Sequence, residues 1–216
     1  MTQAGEAWQG LSVPWQIAFD EAWSSWRQGS LAVGAVVTND DDVVSRGHNQ
    51  FFHEGPGPIA ATYMAHAEMN ALAQIPVGRG QRYSLYATFE PCFMCSATML
   101  LYRIEQIFYA AADPVWHGMD EWLLTAPWVA SSQPAVRTCL RGELGVLGYV
   151  LHVSKLASIA PAHVLAAHEA AMRPVYEFAT SADTMRTLSS LAKSQPTSAA
   201  AVLRELWSAL SSLAAI

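Results

Sequence analysis

Apolar positions recur at helical spacing early in the chain. Ile17, Phe19, Ala22, Trp23 and Trp26 predict a helix over residues 15–26, with Gly29 as its stop. A β-branched run predicts a strand over 31–38. The polar stretch Asn39-Asp40-Asp41-Asp42 reads as a turn and 43–47 as a returning strand, so the pair forms a hairpin. Residues 50–58 read as loop, stiffened by Gly55-Pro56-Gly57-Pro58. Residues 59–75 are helical by composition and are broken by Pro76-Val77-Gly78-Arg79-Gly80. A third strand is predicted over 84–89, a helix opened by proline over 91–103, and a fourth strand over 107–111. Residues 113–134, rich in Trp and Pro, follow no clear period, and 146–153 predict a fifth strand. Helices are then predicted over 162–180, 185–193 and, after a linker at 194–198, over 199–213. In the last of these, Leu203, Leu206, Trp207, Leu210 and Leu213 make one apolar stripe, suited to packing on the domain or on a partner subunit. A membrane-surface helix would carry Lys or Arg on its polar face, and here there is almost none.

Composition sharpens this picture. The 216 residues are 52% hydrophobic with 8 Trp, enough for a core and incompatible with disorder along the whole chain. Only 14% are charged, against about 25% in ordinary soluble proteins, which points to surface covered by another subunit. The net charge is −6, from 12 basic and 18 acidic residues, and the ten Arg are scattered. Phosphate-driven nucleic-acid binding is therefore disfavoured. No stretch approaches the roughly 18 apolar residues of a membrane span. The first ten residues lack the basic and apolar segments of a secretory signal, so a cytoplasmic location is expected.

The chemistry lies in His66-Ala67-Glu68 and in Pro91-Cys92-Phe93-Met94-Cys95. Without an export signal, a Cys-x-x-Cys pair reads as metal or redox chemistry before disulfide. One imidazole and two thiols make three candidate zinc ligands, the number a catalytic zinc takes while keeping a position for water. Cys92 and Cys95 fall one turn apart at a helix start, where free N–H groups favour thiolate. Glu68, two residues after His66, points elsewhere and is placed to reach a metal-bound water. A closed structural zinc site would need a fourth Cys or His, and the motif has none.

This constellation resembles the zinc-dependent cytidine deaminase superfamily, whose signature is H-x-E followed by P-C-x-x-C. The flanks resemble its branch of guanine, cytosine and tRNA adenosine deaminases. They are Val33-Gly34-Ala35-Val36-Val37 with Gly47-His48-Asn49, then His66-Ala67-Glu68-Met69-Asn70-Ala71-Leu72, Leu85 through Cys95, and Ile107-Phe108-Tyr109-Ala110-Ala111. The likeness covers roughly residues 15–113, just under half the chain. It implies a three-layer α/β/α fold with a central mixed five-stranded sheet. A deaminase domain would span 1–160 and a C-terminal helical extension 161–216. It also implies a hydrolytic deaminase releasing ammonia from a purine or pyrimidine base, nucleoside or similar small heterocycle. His66, Cys92 and Cys95 would bind Zn2+, and Glu68 would shuttle the proton. Asn49, Val33, the Ala67 backbone and the Glu90 carbonyl before Pro91 would contact the substrate. Family members commonly form homodimers.

The sequence departs from the family at Ala32, where proline is usual, in the long loop between Asn49 and His66, and after Asp113. These departures leave the substrate open. A tRNA adenosine deaminase is the competing enzyme reading, and a non-catalytic zinc scaffold the competing class. Cys139 reads as a small buried apolar residue. His48, His53 and His117 are candidates to line a pocket, while His152, His163 and His168 are assigned no chemistry. Trp116, Trp122 and Trp128 suit a subunit interface better than base stacking.

Overall fold

The computed structural model describes residues 2–55, 59–76, 82–131, 136–194 and 198–216. It opens with α1 (Gln3–Gln9), capped by the Thr2 side chain, and α2 (Val13–Arg27). The hairpin follows as β1 (Gly34–Asn39) and β2 (Asp42–His48). After α3 (Ala67–Leu72) come β3 (Tyr83–Phe89), α4 (Phe93–Tyr102) and β4 (Gln106–Ala111). Two short helices, α5 (Met119–Leu123) and α6 (Pro127–Ser131), lead to β5 (Val136–Cys139). The rest is α7 (Gly142–Leu156), α8 (Ala162–Thr180), α9 (Ala182–Lys193) and α10 (Ala199–Ala214).

The sheet is mixed, in the order β2-β1-β3-β4-β5. β1 runs antiparallel to β2 and β3, whereas β3, β4 and β5 are parallel. Two glycines show how tightly both faces are covered. A Cβ on Gly34 would lie 2.0 Å from the Ala18 carbonyl of α2, and one on Gly47 would lie 2.6 Å from the Ala67 carbonyl of α3. Gly47 pairs with Ala35, the neighbour of Gly34, so the two glycines face opposite ways. Helices α2 and α7 therefore cover one face, and α3 and α4 the other. The expected three-layer architecture with five strands is what the chain adopts.

Several elements differ from the sequence expectation. Residues 146–153 are not a strand but the middle of α7, and the fifth strand is Val136–Cys139. An eight-residue apolar run fits either form. Here Gly145 through Ser154 are all buried, so the helix shows no polar face to betray its period. Residues 59–75 form a helix only over Ala67–Leu72. The segment before it is tied into turns by Gln50, whose carbonyl accepts the Ala61 N–H and whose N–H donates to the Ala65 carbonyl. Helix α4 begins at Phe93, so Pro91 precedes the cap and lies outside the first turn. The short helix α1 had no predicted counterpart. The break at Pro76-Val77-Gly78-Arg79-Gly80 lies outside the described residues from Val77 on, as do residues 56–58 of the loop and 195–197 of the linker.

The C-terminal helices pack directly on this framework. Val202, Leu203, Leu206 and Leu210 of α10 are buried in one core with Trp15, Phe19 and Trp23 of α2 and Leu147 and Leu151 of α7. Asp20 accepts the Ala199 N–H at 2.8 Å, and the Trp207 indole donates to Gln3. In α8 the helix is interrupted at Met172, two residues before Pro174, whose ring cannot continue the hydrogen-bond ladder. No helix among the described residues is long and apolar enough to cross a membrane.

Candidate active site

The parallel strand β3 ends at Phe89, and the chain then turns through Glu90 and Pro91 into α4. Cys92 caps that helix and Cys95 sits on its first turn. From the other side, His66 caps α3. Each motif residue thus owes its place to the end of a regular element, not to a free loop.

The three candidate ligands converge. Cys92 Sγ and Cys95 Sγ are 3.7 Å apart, and each lies 3.6 Å from His66 Nδ1. They form a group whose ligand atoms all fall within 4.8 Å of one another. Tetrahedral zinc with Zn–S about 2.3 Å and Zn–N about 2.0–2.1 Å would set the sulfurs about 3.8 Å apart and sulfur to nitrogen about 3.6 Å. The donor set fits zinc in both chemistry and spacing. Two soft thiols and an imidazole are also what zinc takes in preference to magnesium or calcium.

Electrostatics divide the two thiols. A hydrogen bond from the Cys95 thiol, aided by His66, lowers Cys92 to about 4 against the cost of burial. Cys95 is pushed well above 9 by that same bond and by burial. One sulfur is thus ready as thiolate, and metal binding must displace the proton on the other. Burial opposes charge on His66, but the bond to Cys92 and the neighbouring Glu68 outweigh it and raise its pKa. Glu68 is itself almost fully buried, and burial pushes it up to about 7. A carboxyl in that range can both accept and return a proton near neutral pH.

The expected substrate residues cluster around this centre to different degrees. Asn49 is buried, and its N–H donates to the Val33 carbonyl at 2.9 Å, so the two residues are locked together. Its Oδ1 accepts the Phe51 N–H, which leaves the amide nitrogen as its donor. Ala67, Glu90 and Pro91 are buried within one or two residues of the candidate ligands. The Glu90 side chain reaches the segment after β4. There the Asp113 N–H donates to it at 3.0 Å and His117 Nδ1 at 3.0 Å, while Arg137 of β5 lies 3.8 Å away.

Of the other histidines, His48 is held by Glu21 and Gln28 rather than by the cluster. His117, 65% exposed, meets the Glu90 carboxylate and not the candidate ligands among the described contacts. His152 was set aside on sequence, yet it stacks on Phe89 at 4.0 Å, three residues before Cys92, and its Nδ1 is buried without a partner among the described residues. Arg137 and Ser96 were not singled out from sequence. An isolated arginine on a short strand carries no motif, and only the placement of β5 brings it to Glu90.

Comparison with known proteins agrees with this geometry. Residues 13–111 match the family described as the cytidine and deoxycytidylate deaminase zinc-binding region. A tRNA-specific adenosine deaminase of Aquifex aeolicus is 33% identical over 102 residues, covering 45% of this chain and 64% of that protein. A cytosine deaminase of Candida albicans is 30% identical over 96 residues, covering 43% of this chain and 60% of that protein. The matched region thus spans less than two thirds of either relative. A protein solved in complex with 2,6-diaminopurine superposes with a TM-score of 0.50 at 18% identity, covering 74% of this chain and 93% of that one. That likeness concerns the fold.

Proposed function

We propose, from the match of residues 13–111 to the cytidine and deoxycytidylate deaminase zinc-binding region, that the chain is a hydrolytic deaminase acting on an amino-bearing purine or pyrimidine base, nucleoside or similar small heterocycle. The observation that carries this reading is the convergence of His66 Nδ1, Cys92 Sγ and Cys95 Sγ at zinc-ligand spacing beside the buried Glu68. His66, Cys92 and Cys95 would hold a zinc ion, which would lower the pKa of an attacking water. The Glu68 carboxylate would carry one proton of the attacking water to a ring nitrogen and then the second, from the new hydroxyl, to the departing amine. Water is consumed, the ring carbon gains oxygen and ammonia leaves. The Asn49 amide and the Val33 side chain hold the ring, one by hydrogen bonding and the other by apolar contact. The Ala67 N–H and the Glu90 carbonyl would bracket the reacting edge.

A second reading, deamination of adenosine in tRNA, is favoured by the names of the relatives. The excess of acidic over basic residues weighs against it, since RNA binding draws on Lys and Arg. One experiment separates the two. Ammonia release is measured for the zinc-loaded protein over bases, nucleosides, nucleotides and an anticodon stem-loop, with Glu68→Ala as control. Release from small heterocycles, falling at least about 100-fold in Glu68→Ala and lost with a chelator until zinc is restored, is the expected result. Release from the RNA alone would select the second reading. No release from either would return weight to a zinc scaffold. The proposal includes a second copy of the chain covering exposed Trp116, Trp122 and Trp128, which sedimentation at micromolar concentration would show as a dimer.

A further inference from the structure

Behind the two cysteines, polar contacts close into a ring. The Glu90 carboxylate, 2% exposed, sits 3.8 Å from Arg137 Nη2, and the Arg137 side chain is only 14% exposed. The same guanidinium donates through Nη1 to Ser96 Oγ at 3.3 Å. Ser96 Oγ donates in turn to the Pro91 carbonyl at 3.3 Å, and Pro91 follows Glu90 directly. The ring therefore ties Glu90 and Pro91, just before Cys92, to Ser96, just after Cys95. It is anchored on two further sides. The Glu90 N–H donates to the Ala111 carbonyl at 2.8 Å, and the Asp113 N–H donates to the Glu90 carboxylate at 3.0 Å. His117 also reaches that carboxylate.

We propose that Glu90, Arg137 and Ser96 are positioning residues that hold the Cys92 and Cys95 sulfurs at zinc-binding separation, with β5 supplying the bracing cation. The physical reason is the cost of disorder in the apo state. Two thiols on a proline-led turn would otherwise sample many separations, and each rigid contact removes part of the ordering that metal binding must supply. Groups that orient metal ligands without touching the metal are commonly worth 10–100-fold in affinity. A buried carboxylate also needs its partners. With Arg137 gone, the Glu90 carboxylate and Ser96 Oγ lose the group that links them, and the turn is held only from the Asp113 and His117 side.

The inference rests on His66, Cys92 and Cys95 being the zinc ligands, but not on any substrate. It is tested on the full chain by competition for Zn(II) with a chromophoric chelator, and by the thiolate-to-cobalt absorption of the Co(II)-substituted protein. Glu90→Gln and Arg137→Met should each weaken Zn(II) binding about 10–100-fold and displace the cobalt band. The double variant should bind about as weakly as the weaker single variant, since both changes open one ring. Arg82→Ala, which breaks an exposed pair with Glu105 at the opposite end of β3 from Glu90, should leave affinity unchanged. Should Arg137→Met fail to fold, Ser96→Ala removes only a hydroxyl from the ring and carries the same expectation. Variants that bind Zn(II) within about twofold of the parent, with an unmoved cobalt band, would overturn the inference. A parent chain that binds no zinc would overturn both this inference and the ligand assignment beneath it.

Discussion

At the scale of single residues, burial decides which protons the molecule can hold. His168 is buried against Tyr149, whose hydroxyl bonds both its Nδ1 and its carbonyl at 3.1 Å. Desolvation lowers its pKa to about 4, and that of nearby His152 to about 3. Unfolded, each would titrate near 6.5. Between those values the unfolded chain binds more protons than the folded one, so stability rises with pH across that window. It is complete above about pH 6.5 and drains away as pH falls toward 4, by up to about 3 kcal/mol for His168. Urea unfolding midpoints at pH 7.5 and 4.5 should therefore differ more in the parent than in His168→Phe. Equal differences in both proteins would assign the acid sensitivity to other groups.

At the scale of elements, what could be read from sequence was whatever local pattern alone determines. The β1–β2 hairpin, β3, β4 and the ligand triad all follow from short-range signals: β-branched runs, a polar turn and ligand spacing. Helix α7 did not, because its surroundings rather than its sequence make it helical. Its Gly148 lies so close to the sheet that a Cβ would meet the Thr88 carbonyl at 2.4 Å, with Gly145 similarly close to Ala110. Three-residue glycine spacing along an apolar run was the signal that could have marked a helix face pressed on strands. Gly148→Ala should lower stability by about 3 kcal/mol, the cost of overpacking against backbone that cannot move. A denaturant midpoint unchanged from the parent would mean that α7 can slide on the sheet. Missing α7 also misplaced β5, and with it Arg137. One misassigned element thus hid the rear support of a site whose front was plain in the sequence.

At the scale of the whole molecule, α10 is part of the core and not an ornament. Val202, Leu203, Leu206 and Leu210 are buried, and each side chain of that size contributes about 1.5–3 kcal/mol on burial. Together they represent about 6–12 kcal/mol, comparable to the net stability of an entire domain. Deleting residues 198–216 should therefore abolish cooperative unfolding, not merely lower the melting temperature, and should raise dye binding to exposed apolar surface. A truncated chain with a sharp thermal transition would show that α2 and α7 find other cover.

The bond between Ala199 and Asp20 joins residues 179 positions apart. On a ribosome adding about 5–20 residues per second, the apolar face of α2 would wait roughly 10–40 s for α10 to be synthesised. The strands and both cysteines emerge well within that interval. The birth of this protein is thus out of step with itself: the chemical centre is made early, while the surface that most needs shelter from other nascent chains is covered late.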